Sequence, residues 1–286
     1  FGTNTATQTA YVTVTGVQAD FSANLRNGCE GVTVQFTDQS TCGATNWQWT
    51  FPGGTPATST LQNPTVTYNT AGTYNVTLTA NGNTSTKTGY ISVSGTGAIT
   101  LLSEDFESNS FSTNGWTVQN PDNGITWAIS TVAGNGPGTR AAGVNLYNYN
   151  SNAQRDRLVS PVLNLTNVDN TVLNFKHAHR RRTQALVDSL IVYISTDGGA
   201  TWPNRLYAGG ENGTGNFATN TTTTAEFIPT IADDWCGQGA VGAACISLNL
   251  SAYDGQPNVR IRFESYNNIG NNLYIDDIVV SGSCVL

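Results

Sequence analysis

The sequence predicts an all-β protein: an immunoglobulin-like β-sandwich followed by a larger jelly-roll β-sandwich. Three observations lead there. Short runs of β-branched and aromatic residues alternate with polar ones at period two. Gly, Asn and Pro punctuate those runs at short intervals, as turns between strands require. No stretch shows the 3.6-residue apolar period of an amphipathic helix. With 286 residues the chain is long enough for two domains with cores of their own. Only 11% of residues are charged and the formal net charge is −7, which argues against nucleic acid as a partner. No apolar run approaches the ~20 residues of a membrane span.

Taken in order, residues 1–16 end in Ala10-Tyr11-Val12-Thr13-Val14-Thr15-Gly16, a strand-like run that reappears as Gly89-Tyr90-Ile91-Ser92-Val93-Ser94-Gly95. The repetition predicts that 1–16 is the tail strand of a truncated upstream repeat. The chain opens on Phe1 and contains no Met, so it reads as an internal piece of something longer. Trp47 and Trp49 alternate with Gln48 and Thr50, which turns both indoles to one face of a strand. Phe51-Pro52-Gly53-Gly54 stops that strand, because proline removes a ladder donor and glycine permits a sharp bend. After the turn Ala71-Gly72, the residues Tyr74, Val76 and Leu78 face a core at period two.

The W-x-W-x-F strand at Trp47–Phe51, the N-P-x-x-x-Y step at Asn63–Tyr68 and the A-G-x-Y-x-V-x-L strand at Ala71–Leu78 resemble a PKD domain, an immunoglobulin-like sandwich common in secreted bacterial proteins. The resemblance implies a domain over 17–95, with a linker at 96–98. A second domain is expected over 99–283 and a C-terminal tail over 284–286. Its strand-like runs include Val172–His177, Asp188–Ser195, Val259–Glu264 and Tyr274–Val280. Glu104-Asp105-Phe106-Glu107, Gly115-Trp116, Ile125-Thr126-Trp127, Leu158–Leu165 and Leu273–Ile278, in that order, resemble the MAM-like jelly rolls of the choice-of-anchor and cleaved-adhesin type. Such pairs of domains belong to pappalysin-like metallopeptidases and to surface adhesins exported by the type IX route.

Acidic residues at both ends of the second domain form the first candidate site. Glu104, Asp105 and Glu107 lie at its first strand and Asp276 and Asp277 at its last. Terminal strands of a jelly roll commonly pair, which would gather these charges; a hard divalent cation with ~6–8 oxygen ligands relieves their repulsion. The resemblance implies a structural Ca²⁺ held by Asp105, Glu107, Asp276 and Asp277. The alternatives are solvent-facing acids on edge strands, or a carboxylate pair on a substrate cleft.

Five cysteines suit an oxidising compartment. Cys29 and Cys42 flank Val32–Phe36 and are expected to staple its ends; Cys236 and Cys245 are expected to close a Gly/Ala loop, leaving Cys284 over. Tyr147, Tyr149 and Tyr266 stand in polar-aromatic segments suited to stacking on sugar rings, with asparagines 267, 268, 271 and 272 as amide donors; ordinary loop aromatics are the alternative. His177 and His179 share a strand face, and read either as a chelating pair or as ordinary strand residues beside Arg180-Arg181-Arg182. Ser195–Trp202 matches the Asp-box pattern S-x-D-x-G-x-T-W, a fold element rather than a catalytic one. With no H-E-x-x-H, nucleophile elbow or P-loop, the chain reads as a non-catalytic secreted or surface region that binds an extracellular protein or glycan. The competing readings are the C-terminal part of an extracellular zinc metallopeptidase and a subunit of a surface filament.

Overall fold

The computed structural model describes residues 16–136, 138–183, 186–210, 217–238 and 243–285. The tail strand expected over 1–16 lies outside them, Gly16 excepted. The chain is all-β, and its described residues divide into two compact units: those up to Arg26 with Thr33–Ser92, and Asn27–Val32 with those from Val93 onward.

In chain order the first strands are β1 (Phe21–Ala23), β2 (Asn27–Cys29), β3 (Val32–Asp38), β4 (Trp47–Thr50), β5 (Gly54–Thr55), β6 (Thr58–Ser59), β7 (Thr65–Tyr68), β8 (Gly72–Ala80) and β9 (Asn83–Ser94). The first unit packs the sheet β1-β3-β7-β5 against a sheet that runs β9-β8-β4-β6. Alternation decides what is buried. Val34 and Phe36 on β3, Trp49 on β4, Val66 and Tyr68 on β7, and Val76 and Leu78 on β8 point inward. Phe36 and Phe51 meet at 4.8 Å between ring centroids, and Phe51 stacks on Trp49 at 5.6 Å. Trp47 shares the Trp49 face but is only half-buried, and its indole N–H donates to Asp38 at 2.8 Å. The turn after β4 needs glycine at Gly53, where φ is +74° and the Tyr74 ring stands 2.1 Å from where a Cβ would sit.

The second unit continues with β10 (Gly97–Glu104), β11 (Thr117–Gln119), β12 (Ala128–Thr131), β13 (Arg140–Val144), β14 (Arg155–Val159), β15 (Val168–His179), β16 (Ser189–Ser195), β17 (Asn204–Gly209), β18 (Ile246–Asn249), β19 (Arg260–Tyr266) and β20 (Leu273–Cys284). They form two antiparallel sheets. One runs β12-β13-β20-β15-β18 with β10 also on β20, and the other runs β11-β14-β19-β16-β17. Leu158, Leu173, Leu190, Val192, Ile194, Phe263 and Ile278 fill the space between the sheets.

Strand β20 is the spine of the first of these sheets. Along one edge it pairs with β15. Along the other it pairs with β13 over Leu273–Ile275 and with β10 from Ile278 to Cys284. Asp276 and Asp277 fall in the seam between those two partners.

The cysteine pairing differs from expectation. Cys29 is bonded to Cys284, with Cα atoms 5.6 Å apart, and Cys236 to Cys245 as expected. Cys42 is exposed and belongs to neither disulfide. The reason is geometric: the seven extended residues of β3 span roughly 20 Å at ~3.3 Å each, so a bridge of 4.4–6.8 Å Cα separation does not link residues flanking such a strand. Cys284 is accordingly the last residue of β20 rather than the start of a loose tail.

Candidate functional site

The seam in β20 gathers the acidic residues. Successive residues of a regular strand face opposite ways, but β20 is bulged here. Asn174 pairs with Val279 and Lys176 with Asp276, so Phe175 alone opposes Asp277 and Ile278. Asp277 takes the extra residue in the left-handed region, at φ 46°. Phe106 is also left-handed, at φ 56°, which turns the chain leaving β10 back past the seam. The result is a cavity of about 240 Å³ lined by Asp105, Glu107, Asn135, Gly138, Asp276 and Asp277.

Each carboxylate has a defined environment. Asp276 is buried; Asn135 Nδ2 donates to its Oδ2 at 2.5 Å and the Asp277 N–H to its Oδ1 at 2.8 Å. Desolvation pushes its pKa up to about 7, against the Asn135 and Asp277 hydrogen bonds, with the Asp277 and Asp105 charges adding to the rise. Glu107 Oε1 accepts the backbone N–H groups of Thr139 at 2.7 Å and Arg140 at 2.8 Å, which ties the chain after β10 to the start of β13. The Thr139 bond is the main influence holding the Glu107 carboxyl below its usual range, and Arg140 adds to it. Asp105 Oδ1 caps the Glu107 N–H at 3.1 Å, and Asp277 forms an ion pair with Lys176 at 2.8 Å. Glu104, at the end of β10, turns away from this group: it accepts from Phe106 N and Asn114 Nδ2.

All the donors here are oxygens, which fits a hard cation and not a soft one. The carboxylates are nonetheless engaged with protein partners, and among the described residues no three His, Cys, Asp or Glu side chains are drawn together as a preformed metal cage. Asn135 was not anticipated from sequence; its signal is the Asn and Gly clustering of Ala133–Gly138, which marks a loop able to approach closely.

The aromatic platform is not assembled as expected. Tyr149 is buried, with its hydroxyl bonded to Asp122, so no sugar ring reaches it. Tyr147 is half-buried under the Arg182 guanidinium, 4.3 Å from its ring centroid. Three of the four asparagines expected to offer amides spend them internally: Asn267 Nδ2 on the Tyr149 carbonyl, Asn271 Nδ2 on Ala225 and Asn272 Nδ2 on Phe227. Tyr266 lies half-buried on the outer face of its strand, under Arg155 at 4.6 Å.

That face belongs to β14, β19 and β16, and sequence reasoning missed it. On β19, Ile261, Phe263 and Ser265 point inward while Arg260, Arg262, Glu264 and Tyr266 share the outer side. Register sets Tyr193 against Arg262 and Arg157 against Glu264. Glu264 receives Arg155 at 2.8 Å, Arg157 at 2.9 Å and Arg262 at 3.4 Å. Arg262 also lies over Tyr193 at 4.4 Å and over Trp202 at 4.7 Å. One carboxylate thus faces three guanidiniums among three half-buried rings. The signal in the sequence is the Arg-x-Arg of residues 155–157 and 260–262, the period that puts like charges on one side of a strand.

Trp202 is held there by the Asp box. Asp197 Oδ1 accepts from Ser195 Oγ at 2.6 Å and Thr201 N at 3.0 Å, and Ser195 Oγ accepts Gly199 N at 2.9 Å. His177 and His179 are core residues stacked on Phe217, each with a ring nitrogen facing a carbonyl: Phe217 O at 3.2 Å and Asn272 O at 3.1 Å.

Comparison with known proteins adds one assignment. Residues 17–94 match the PKD domain. No curated protein matches the chain. Among solved structures, a carbohydrate-binding module of the β-sandwich superfamily is similar at 20% identity over 93% of this chain and 98% of its own, with a TM-score of 0.38. The K3 cleaved adhesin domain of Lys-gingipain from Porphyromonas gingivalis W83 is similar at 17% identity over 65% of this chain and 99% of its own, with a TM-score of 0.41. No helix among the described residues is long and apolar enough to cross a membrane.

Proposed function

We propose that the chain is a non-catalytic, extracellular binding region: a PKD domain followed in sequence by a MAM-like jelly roll that takes an anionic glycan on its Arg–aromatic face. The observation that supports this reading is the excess of three guanidiniums over one carboxylate among Tyr193, Trp202 and Tyr266 on a chain whose net charge is −7. Guanidinium forks recognise sugar carboxylates or sulfates bidentately, and rings stack on pyranose C–H faces. The two disulfides support an oxidising compartment. Calcium is proposed as the structural cation of the β20 seam, held by Asp105, Glu107, Asp276 and Asp277, with Asn135 as an added oxygen. There it would offset the mutual repulsion of the acids and tie β10, β13 and β20 together. The parent molecule on this reading is a secreted adhesin or metallopeptidase with further domains.

Titration with uronic-acid oligosaccharides against neutral xylo-oligosaccharides tests the reading. Binding that weakens at least ~10-fold in Arg262→Gln and Tyr193→Ala and declines with added salt supports it. Equal affinity in wild type and both variants overturns it.

A further inference from the structure

A second group of oxygens lies apart from the β20 seam. Asp156 sits on β14 with its side chain on the inner face, beside Leu158, and it is 1% exposed. Neither of its carboxylate oxygens accepts a well-formed hydrogen bond, although the Thr126 and Tyr149 hydroxyls lie close by. Its sequence neighbours Arg155 and Arg157 point to the opposite face and serve Glu264. A bare carboxylate so placed is unfavourable unless something of opposite charge joins it.

Among the described residues, the side chains gathered around it offer oxygens. Thr126 Oγ1 and Asn120 Oδ1 are also buried and without partners. Asn120 commits its Nδ2 to Gly124 O at 2.9 Å, which leaves Oδ1 as a pure acceptor. Asp122 Oδ1 takes the Gly124 N–H at 3.0 Å, and its Oδ2 takes the Tyr149 hydroxyl. A Cβ on Gly124 would stand 2.8 Å from that hydroxyl, so the 120–124 loop presses directly on it. Burial pushes Asp156 up to about 6; the Thr126 and Tyr149 hydroxyls are near enough to draw it down, and the Asp122 charge adds to the rise.

We infer that Asp156, Asp122, Thr126 and Asn120 form a second hard-cation site of calcium type, beneath the loop that crosses from β11 to β12. Two carboxylates, an amide oxygen and a hydroxyl are the donor set such an ion takes. The Tyr149 hydroxyl orients Asp122 and is a positioning group. The ion would fix the crossover between the two sheets, independently of the seam.

Calorimetric titration of the EDTA-stripped full chain with Ca²⁺, together with Tb³⁺ emission, tests the assignment. Trp127 donates its indole N–H to the Asp156 carbonyl at 3.1 Å, so it is placed to sensitise Tb³⁺ bound there. Tb³⁺ emission excited through tryptophan is expected in wild type and in Asp277→Asn, to be displaced by Ca²⁺, to fall in Asp156→Asn and Thr126→Val, and to be lost when Asp156→Asn and Asp277→Asn are combined. Asp156→Asn removes a bare buried charge without changing shape. Its melting temperature in EDTA is expected to equal or exceed wild type while its calcium-dependent rise shrinks. One bound ion, removed by Asp156→Asn and not by Asp277→Asn, leaves this site standing without the seam. Emission and stoichiometry unchanged in Asp156→Asn overturn it, and so does the absence of any bound ion, which would mean that Asp156 is buried as a neutral acid.

Discussion

Cys29 and Cys284 stand 255 positions apart in the sequence, and a disulfide brings their Cα atoms to 5.6 Å. A cross-link closing so long a loop removes much entropy from the unfolded chain, on the order of 5 kcal/mol in the chain-entropy account. Cys284→Ser is therefore expected to lower the thermal stability of the second unit markedly. Non-reducing peptide mapping provides the direct check. A peptide joining Cys29 to Cys42 would contradict the pairing.

Calcium proposed at the β20 seam would bind only the folded unit and so would stabilise it by mass action. At 100 times the dissociation constant the gain is about 2.7 kcal/mol. Asp277→Asn is expected to lose that increment, measured as the difference in melting between Ca²⁺ and EDTA. An undiminished calcium response in the variant would remove Asp277 from the ligand set.

Those two cases also show how much of the molecule was legible from sequence. Trp47–Phe51 and Ala71–Leu78 declare their strands and inner faces locally, because alternation within a strand needs no partner. The acids at 104–107 and 276–277 were legible as a candidate cluster once the terminal strands were expected to pair. Asn135 and Lys176 were not, since their place depends on the bulge and on where β13 stops along β20. The Cys29 partner was illegible for a related reason: strand order, not sequence proximity, brings Cys284 near. Tyr149 was misread because it lies in the irregular loop between β13 and β14, where no period tells inside from outside.

Asp188 is expected to be among the most sensitive positions outside the proposed sites. Its carboxylate accepts the backbone N–H groups of Asn268 at 2.8 Å, Gly270 at 3.1 Å and Asn271 at 2.5 Å. Its Oδ2 lies 2.1 Å from where a Cβ on Gly270 would sit, so that glycine is required by contact. Asp188→Ala orphans three donors and is expected to cost about 3 kcal/mol or more, with Gly270→Ala acting in the same direction. For a unit of this size that is a fall of roughly 6–12 °C in melting temperature. A shift within the error of the scan would show that the loop holds without the carboxylate.

His177 and His179 are the only two histidines, which makes their titration easy to observe. Burial is the main cause that lowers both to about 4 from an ordinary 6.5, against the carbonyl hydrogen bonds, with nearby positive charge adding to the fall. Between those limits the unfolded chain binds protons that the folded one refuses, so stability rises with pH across the window. It is lost as the medium is acidified below 6.5, and the full loss is on the order of 3 kcal/mol per imidazole. Asp188 works in the opposite sense, since burial raises its folded pKa to about 6 from 3.8, so its contribution falls as pH climbs between those values. A melting curve against pH is therefore blunted, whereas imidazole proton shifts resolve the histidines singly. Both signals are expected to stay in the neutral form at pH 5.5 and to move with midpoints near 4. Midpoints near 6.5 would mean that the Phe217 stack opens to water in the native state.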